Sequence, residues 1–390
     1  MKRPRVTILN HDISGNSLGR AYILGKMLSE YFDVKIIGPS KKGEIWKPCM
    51  NSDIRIVKLP YYRFPALLFK IPGILKEIDG DVIYAVKPKL SSFGFGLLKK
   101  AVSKTPVILD IDDWEMGFLI KRGILGKISR LFNLKVTIPD GFFWTWLMQL
   151  FIGHADKITT VSTFLQDKFG GEIIPHAKDT DYLNPIKFNG DELKKQLNIA
   201  GRKIVMFLGT PRKHKGIEDV MQAIPMIDNP DLLMIIVGGG SDKRYEESLI
   251  RMGGDRLFII DQIPLQDIPE YLSLADIVVI PQRRTNDSAG QIPSKLFDAM
   301  SMAKPIISTR VSDIPCILEG CGIIVEPGSP MEVKEAIQWI LTNPVQAKEM
   351  GLRARDKCIK QYSMLSLKHR LRSIVDEVIN SNLRASIHEN

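Results

Sequence analysis

The chain has 390 residues, 44% hydrophobic and 25% charged, the balance of a folded globular protein of two ordinary domains and not of a disordered or fibrous one. Its 54 Lys and Arg against 44 Asp and Glu leave a formal charge of +10, which favours phosphate-bearing ligands or an anionic membrane surface. The four cysteines, Cys49, Cys316, Cys321 and Cys358, are dispersed; none forms a CxxC pair or stands beside histidines at metal-ligand spacing, which argues against a metal site and fits a reducing cytoplasm.

Met1-Lys2-Arg3-Pro4-Arg5 leads straight into an apolar run without the stretch a signal peptide needs. No window reaches the roughly 18 consecutive apolar residues of a membrane-spanning helix, and residues 142–153 come nearest. Short apolar runs then alternate with helical patterns at 6–9, 34–37, 54–59, 82–86, 107–111 and 158–161, the βα rhythm of a parallel sheet. The first βα turn, residues 10–20, holds Gly15, Asn16 and Arg20. The run 107–111 ends on Asp110, Asp112 and Asp113, carboxylates that suit either an acceptor hydroxyl needing a base or an ordinary helix cap.

Two segments, 60–72 and 121–151, mix aromatic and apolar residues with cations. Trp144 and Trp146 beside Phe142 and Phe143, with Lys121, Arg122, Lys127, Arg130 and Lys135 nearby, suit a lipid headgroup layer. A helix packed against the sheet or against a second subunit is the other reading. The seam between domains falls at 173–201, where Pro175, Asp179, Asp181, Asn184, Pro185, Asn189 and Gly190 gather. The expected domains are 1–180 and 181–362, followed by a helix over 363–390 with Leu365, Leu367, Leu371, Ile374, Val375 and Val378 at helical spacing.

The strand rhythm restarts at 204–208, 232–237, 257–260, 277–280, 305–308 and 322–325. The fold class is therefore α/β, two doubly wound Rossmann-like domains, with ligands expected beyond the carboxyl ends of the strands. No GxGxxG fingerprint and no GxxxxGK[ST] loop appears, which sets aside dehydrogenases and P-loop ATPases. Instead, residues 207–216 (FLGTPRKHKG) carry an apolar strand into a glycine turn loaded with cations, either a diphosphate cradle or a solvated turn. Gly238-Gly239-Gly240 follows the next strand, and residues 289–307 (AGQIPSKLFDAMSMAKPII) run from loop to helix to strand.

In order and spacing these windows, with 275–281 (ADIVVIP), resemble the C-terminal domain of group 1, family 4-like retaining glycosyltransferases. Residues 155–162 (ADKITTVS) and 174–181 (IPHAKDTD) resemble the strand and hinge that precede it, so the likeness covers nearly the whole chain. It implies a GT-B fold, two Rossmann-like domains facing across a cleft. An acceptor would sit on the first domain, a nucleotide-sugar on the second, with the last helix crossing back. It also implies transfer with retention, without metal or cofactor. Carried over, Arg212 and Lys215 hold the diphosphate, and Gly209 and Gly239 admit the donor. Ile263 meets the base through its backbone, and Asp298 takes the place of a ribose-binding glutamate. The family's partner glutamate falls on Gly290, so Gln291, Ser294 and Lys295 are left to supply sugar contacts. Gly15 and Asn16 belong to a loop kept near the donor phosphates. A frequent family histidine is replaced by the aspartates, of which Asp112 and Asp113 are the catalytic candidates. His11, His176 and His214 are either functional or ordinary loop histidines. The expected partners are an NDP-sugar, a glycan or lipid-linked acceptor and the anionic cytoplasmic membrane face, with no nucleic acid. A sugar-nucleotide epimerase and a non-catalytic basic lipid-binding protein are the rival readings.

Overall fold

A computed structural model describes residues 3–119, 136–240, 242–286 and 288–388. Lys121, Arg122, Lys127, Arg130 and Lys135 lie outside the described residues. The chain forms two compact units, Met1–His176 with Leu367–Asn390, and Ala177–Ser366. The first is built on β1 (Arg5–Asn10), β2 (Asp33–Ser40), β3 (Arg55–Pro60), β4 (Val82–Val86), β5 (Val107–Ile111), β6 (Lys157–Thr160) and β7 (Glu172–Ile173), in the sheet order β3-β2-β1-β4-β5-β6-β7. The second uses β8 (Lys203–Leu208), β9 (Leu232–Gly239), β10 (Leu257–Asp261), β11 (Ile277–Ile280), β12 (Ile306–Thr309) and β13 (Ile323–Val325), in the order β10-β9-β8-β11-β12-β13.

All these pairings are parallel. Helices cover both faces of such sheets, which is why β4, β5 and β11 are buried along their whole length and read as apolar runs, interrupted in β5 by the buried Asp110. Each sheet reverses its winding once, at β1/β4 and at β8/β11. Beyond those points the flanking loops diverge and leave a crevice, the place where doubly wound sheets bind ligands.

Arg20, in the first βα turn, is engaged inside the first unit. Its side chain is buried and paired in two places with Asp110, at 3.0 and 2.8 Å, and it donates to the carbonyls of Ile174 and Pro175. Thr159 completes the Asp110 carboxylate at 2.8 Å. A buried guanidinium and carboxylate satisfied in this way tie the first helix, β5 and the chain beyond β7 together, and leave neither charge for a substrate.

The final helix, Met364–His388, lies in the first unit from Leu367 onward. It buries Leu371, Ile374, Val375 and Val378 there, and Lys368 and Lys157 close ion pairs with Glu30 and Glu377.

Candidate active site

In the second unit the chain leaves β8 through Gly209 at φ 113° and reaches Gly216 at φ 66° before the helix Ile217–Ala223. A side chain at Gly216 would bring its Cβ to 2.0 Å from the Pro281 carbonyl, and at Gly238 to 2.7 Å from Gly209. Glycine is therefore required where the loops after β8, β9 and β11 close on one another. Between the two glycines, Arg212 is exposed and Lys213-His214-Lys215 form a single 3-10 turn.

Lys215 Nζ donates to Gln291 Oε1 at 2.5 Å, and Gln282 Nε2 reaches the same oxygen at 3.5 Å. Lys295 projects from the helix Ser294–Ser301 and holds its Nζ 3.9 Å from the centroid of the Phe207 ring. It also lies 2.7 Å from where a Cβ on Gly209 would stand. Burial, and then Lys215 and Arg212, push the Lys295 ammonium well below the usual lysine range, with Asp298 opposing. Burial and the same cations push His214 down to about 4, so it is neutral at neutral pH. This crowding of positive charge at a switch point is an arrangement whose electrostatics suit an anionic ligand.

The other residues expected on the donor side are placed as follows. Gly239 is buried at the end of β9, and the N–H of Gly240 donates to both carboxylate oxygens of Glu246, so that amide of the triplet is engaged. Ser294 opens its helix. Asp298 is buried on the same helix, with Oδ1 2.6 Å from Lys178 Nζ. Ile263 packs, partly buried, against the core of this unit. Gln282 was not expected from the sequence; it is fully buried, and its Oε1 has no hydrogen-bond partner. Its position directly after the apolar run of β11 was the available signal.

In the first unit the loop after β1 is shaped by its own polar groups. Asp12 Oδ1 accepts from the N–H and hydroxyl of Ser14, and Asn10 from Ser17. Gly15 is half-buried and Asn16 exposed in this turn. Beside it, Lys87 Nζ meets Asp113 at 2.7 Å, Glu115 at 2.7 Å and Asp112 at 3.2 Å, and Lys89 meets Glu115 at 2.7 Å. Lys87 adopts φ 70° at the end of β4, a conformation unusual for a side-chain-bearing residue and characteristic of functional turns.

Burial raises Asp112 to about 7; Lys87 opposes this, while Asp113 and Asp110 add to it. Burial works against the charge of Glu115, but Lys87 and Lys89 overcome it and hold that carboxyl far below its usual range. The ring Nδ1 of His11 is buried without a hydrogen-bond partner, and burial keeps this imidazole neutral. The two carboxyls are thus driven in opposite directions, Glu115 towards its anion and Asp112 towards its protonated form. The aspartates were expected here; Lys87, Lys89 and Glu115 were not.

Residues 189–357 match the family model described as "Glycosyl transferases group 1", so this segment of the second unit carries the group 1 glycosyl transferase pattern. The chain is 25% identical over 193 residues to "Alpha-D-kanosaminyltransferase" of Streptomyces kanamyceticus, covering 48% of this chain and 49% of that protein. It is 22% identical over 375 residues to "Probable glycosyltransferase WbjE" of Pseudomonas aeruginosa, covering 86% and 89%. The chain spans about half the length of several of the curated relatives it matches. Among solved structures it is similar to the sucrose-phosphate synthase from Thermosynechococcus elongatus, with TM-score 0.76 and 17% identity over 97% of this chain and all of that one. It is also similar to Anabaena Alr3699/HepE in complex with UDP and glucose, with TM-score 0.75 and 14% identity over 96% of this chain and all of that one. The two Rossmann-like parallel-sheet units are thus the fold of known glycosyltransferase structures.

Proposed function

We propose that the chain is a glycosyltransferase that moves a sugar from a nucleoside-diphosphate donor, with retention of configuration, to an acceptor held by the first unit. The observation that carries this reading is the cationic turn at the β8/β11 switch point, inside the matched segment 189–357. Arg212, Lys215 and Lys295 supply positive charge where a departing diphosphate accumulates negative charge, so the reading requires no metal ion. Asp112 is the group suited to receive the acceptor proton, with Lys87 and Glu115 setting its environment.

The fold by itself serves transferases and sugar-nucleotide epimerases alike; the family match favours transfer. A non-catalytic basic lipid-binding protein would have no need to gather its cations at a strand end beside a buried glutamine. The test is nucleotide release from UDP-, GDP- and ADP-sugars in the presence of membrane lipid extract, comparing the wild type with Arg212→Ala and Lys215→Ala. Consumption of one donor with loss in both variants supports the proposal. Consumption unchanged by both variants, or no donor bound at all, overturns it.

A further inference from the structure

The first unit contains a cavity of about 750 Å³, within the size range of small-ligand pockets, that no step of the proposed transfer uses. The helices Ala66–Glu77, Phe95–Ser103 and Phe142–Leu150 wall it. Leu67, Leu90, Phe95, Leu147 and Met148 line it, and Trp144 stacks on Phe64 at 4.6 Å.

The Trp144 and Lys100 polar groups of this wall are already engaged. Trp144 Nε1 donates to the Val136 carbonyl at 2.7 Å, and Lys100 Nζ donates to the His154 carbonyl at 3.0 Å and to Asp156 at 2.7 Å. The recess therefore offers its occupant hydrocarbon contact and little else. Large apolar side chains stand exposed on the same helices, with Phe69 at 82%, Val102 at 76% and Leu150 at 61% exposure, more than solitary surface residues explain. Charge adds direction, since two of these helices carry Lys70, Lys76, Lys99 and Lys100 against Glu77 as their one acidic residue, Lys100 being paired with Asp156, and the third helix carries no charge. An apolar recess among cations is complementary to an amphiphile with a hydrocarbon tail and an anionic head.

We propose that this cavity holds the aliphatic tail of an anionic, lipid-linked acceptor; the word acceptor rests on the transfer reading above, and the tail site does not. The test titrates the full chain with monomeric dodecyl phosphate and with butyl phosphate, which share a headgroup, and follows tryptophan fluorescence. Wild type is expected to bind the long chain at least ~100-fold more tightly, because only its extra methylenes enter the recess. Ala101→Trp, at an exposed position lining the cavity, and Leu98→Asp each remove that difference while melting near the wild-type temperature. Equal affinity for both chain lengths, a difference that survives in both variants, or binding to anionic vesicles without binding of monomeric dodecyl phosphate overturns the proposal. Nucleotide release on the same preparations separates the two readings: tail binding without donor consumption keeps the site and removes the transferase, whereas donor consumption without chain-length dependence removes the site alone.

Discussion

Lys215 meets Gln291 with the same ammonium that a diphosphate would recruit. Lys215→Ala is expected to lower kcat/KM for the donor by an amount equivalent to about 1.5 to 3 kcal/mol, the worth of one charge-assisted hydrogen bond; steady-state kinetics across donor concentrations read this directly. Lys295 is depressed by burial and by its cationic neighbours, so between that lowered value and the ordinary lysine range the unfolded chain binds the extra proton and stability rises with pH. An arriving anion opposes the depression, so at a pH between the lowered value and the ordinary lysine range nucleoside diphosphate binding is expected to take up a proton. Calorimetry in two buffers of different ionisation enthalpy would give identical heats if it does not. Asp112 has the opposite sign. Raised to about 7, it is protonated in the folded state over a window where the unfolded chain is ionised, so its contribution to stability falls as pH rises from the usual carboxylate range through 7. Asp112→Asn should flatten that part of the urea-unfolding profile, and a profile identical to wild type would refute the shift. Arg212 and Lys215 stood out because cations concentrated at a strand end are a local pattern, whereas Lys295, on the helix Ser294–Ser301, was pointed to only by the family resemblance. The pairing of Arg20 was not legible, since its partner Asp110 lies 90 residues away, and Lys87, Glu115 and Gln282 acquire meaning only when the switch points gather separate loops.

The elements themselves follow from local chemistry. Strands buried on both faces are mostly apolar, so eleven of the described strands stand within a residue or two of where their apolar runs predict them; β2 continues to Ser40, three residues past its run, and β7, only Glu172–Ile173, is too short to leave a pattern. The helix Phe142–Leu150 admitted a lipid-facing and a core reading, and the structure divides it: Thr145 and Met148 are buried, while Trp146 and Leu150 are exposed. No helix among the described residues is long and apolar enough to cross a membrane. Turns are less forgiving than helices. Gly216→Ala places a methyl at 2.0 Å from the Pro281 carbonyl in a left-handed conformation, and a loss of at least about 2 kcal/mol is expected from denaturant unfolding. A loss below half of that would mean the loop after β11 yields easily.

At the scale of the molecule, two α/β units were legible because the strand rhythm stops and restarts, whereas the ownership of the last helix is a matter of packing. Residues 367–390 count with the first unit although the whole second unit separates them from it in sequence. Each of Leu371, Ile374, Val375 and Val378 is buried, and at roughly 1.5 to 3 kcal/mol apiece their loss rivals the entire stability of an ordinary domain. A fragment of residues 1–176 is expected to lack a cooperative unfolding transition and to regain it when a peptide of residues 364–384 is added in trans, as circular dichroism would show. The first unit is a discontinuous domain, closed by a piece that leaves the ribosome only after the whole second unit. Until then those buried apolar contacts are missing, so on a growing chain the first unit begun is the second to be finished.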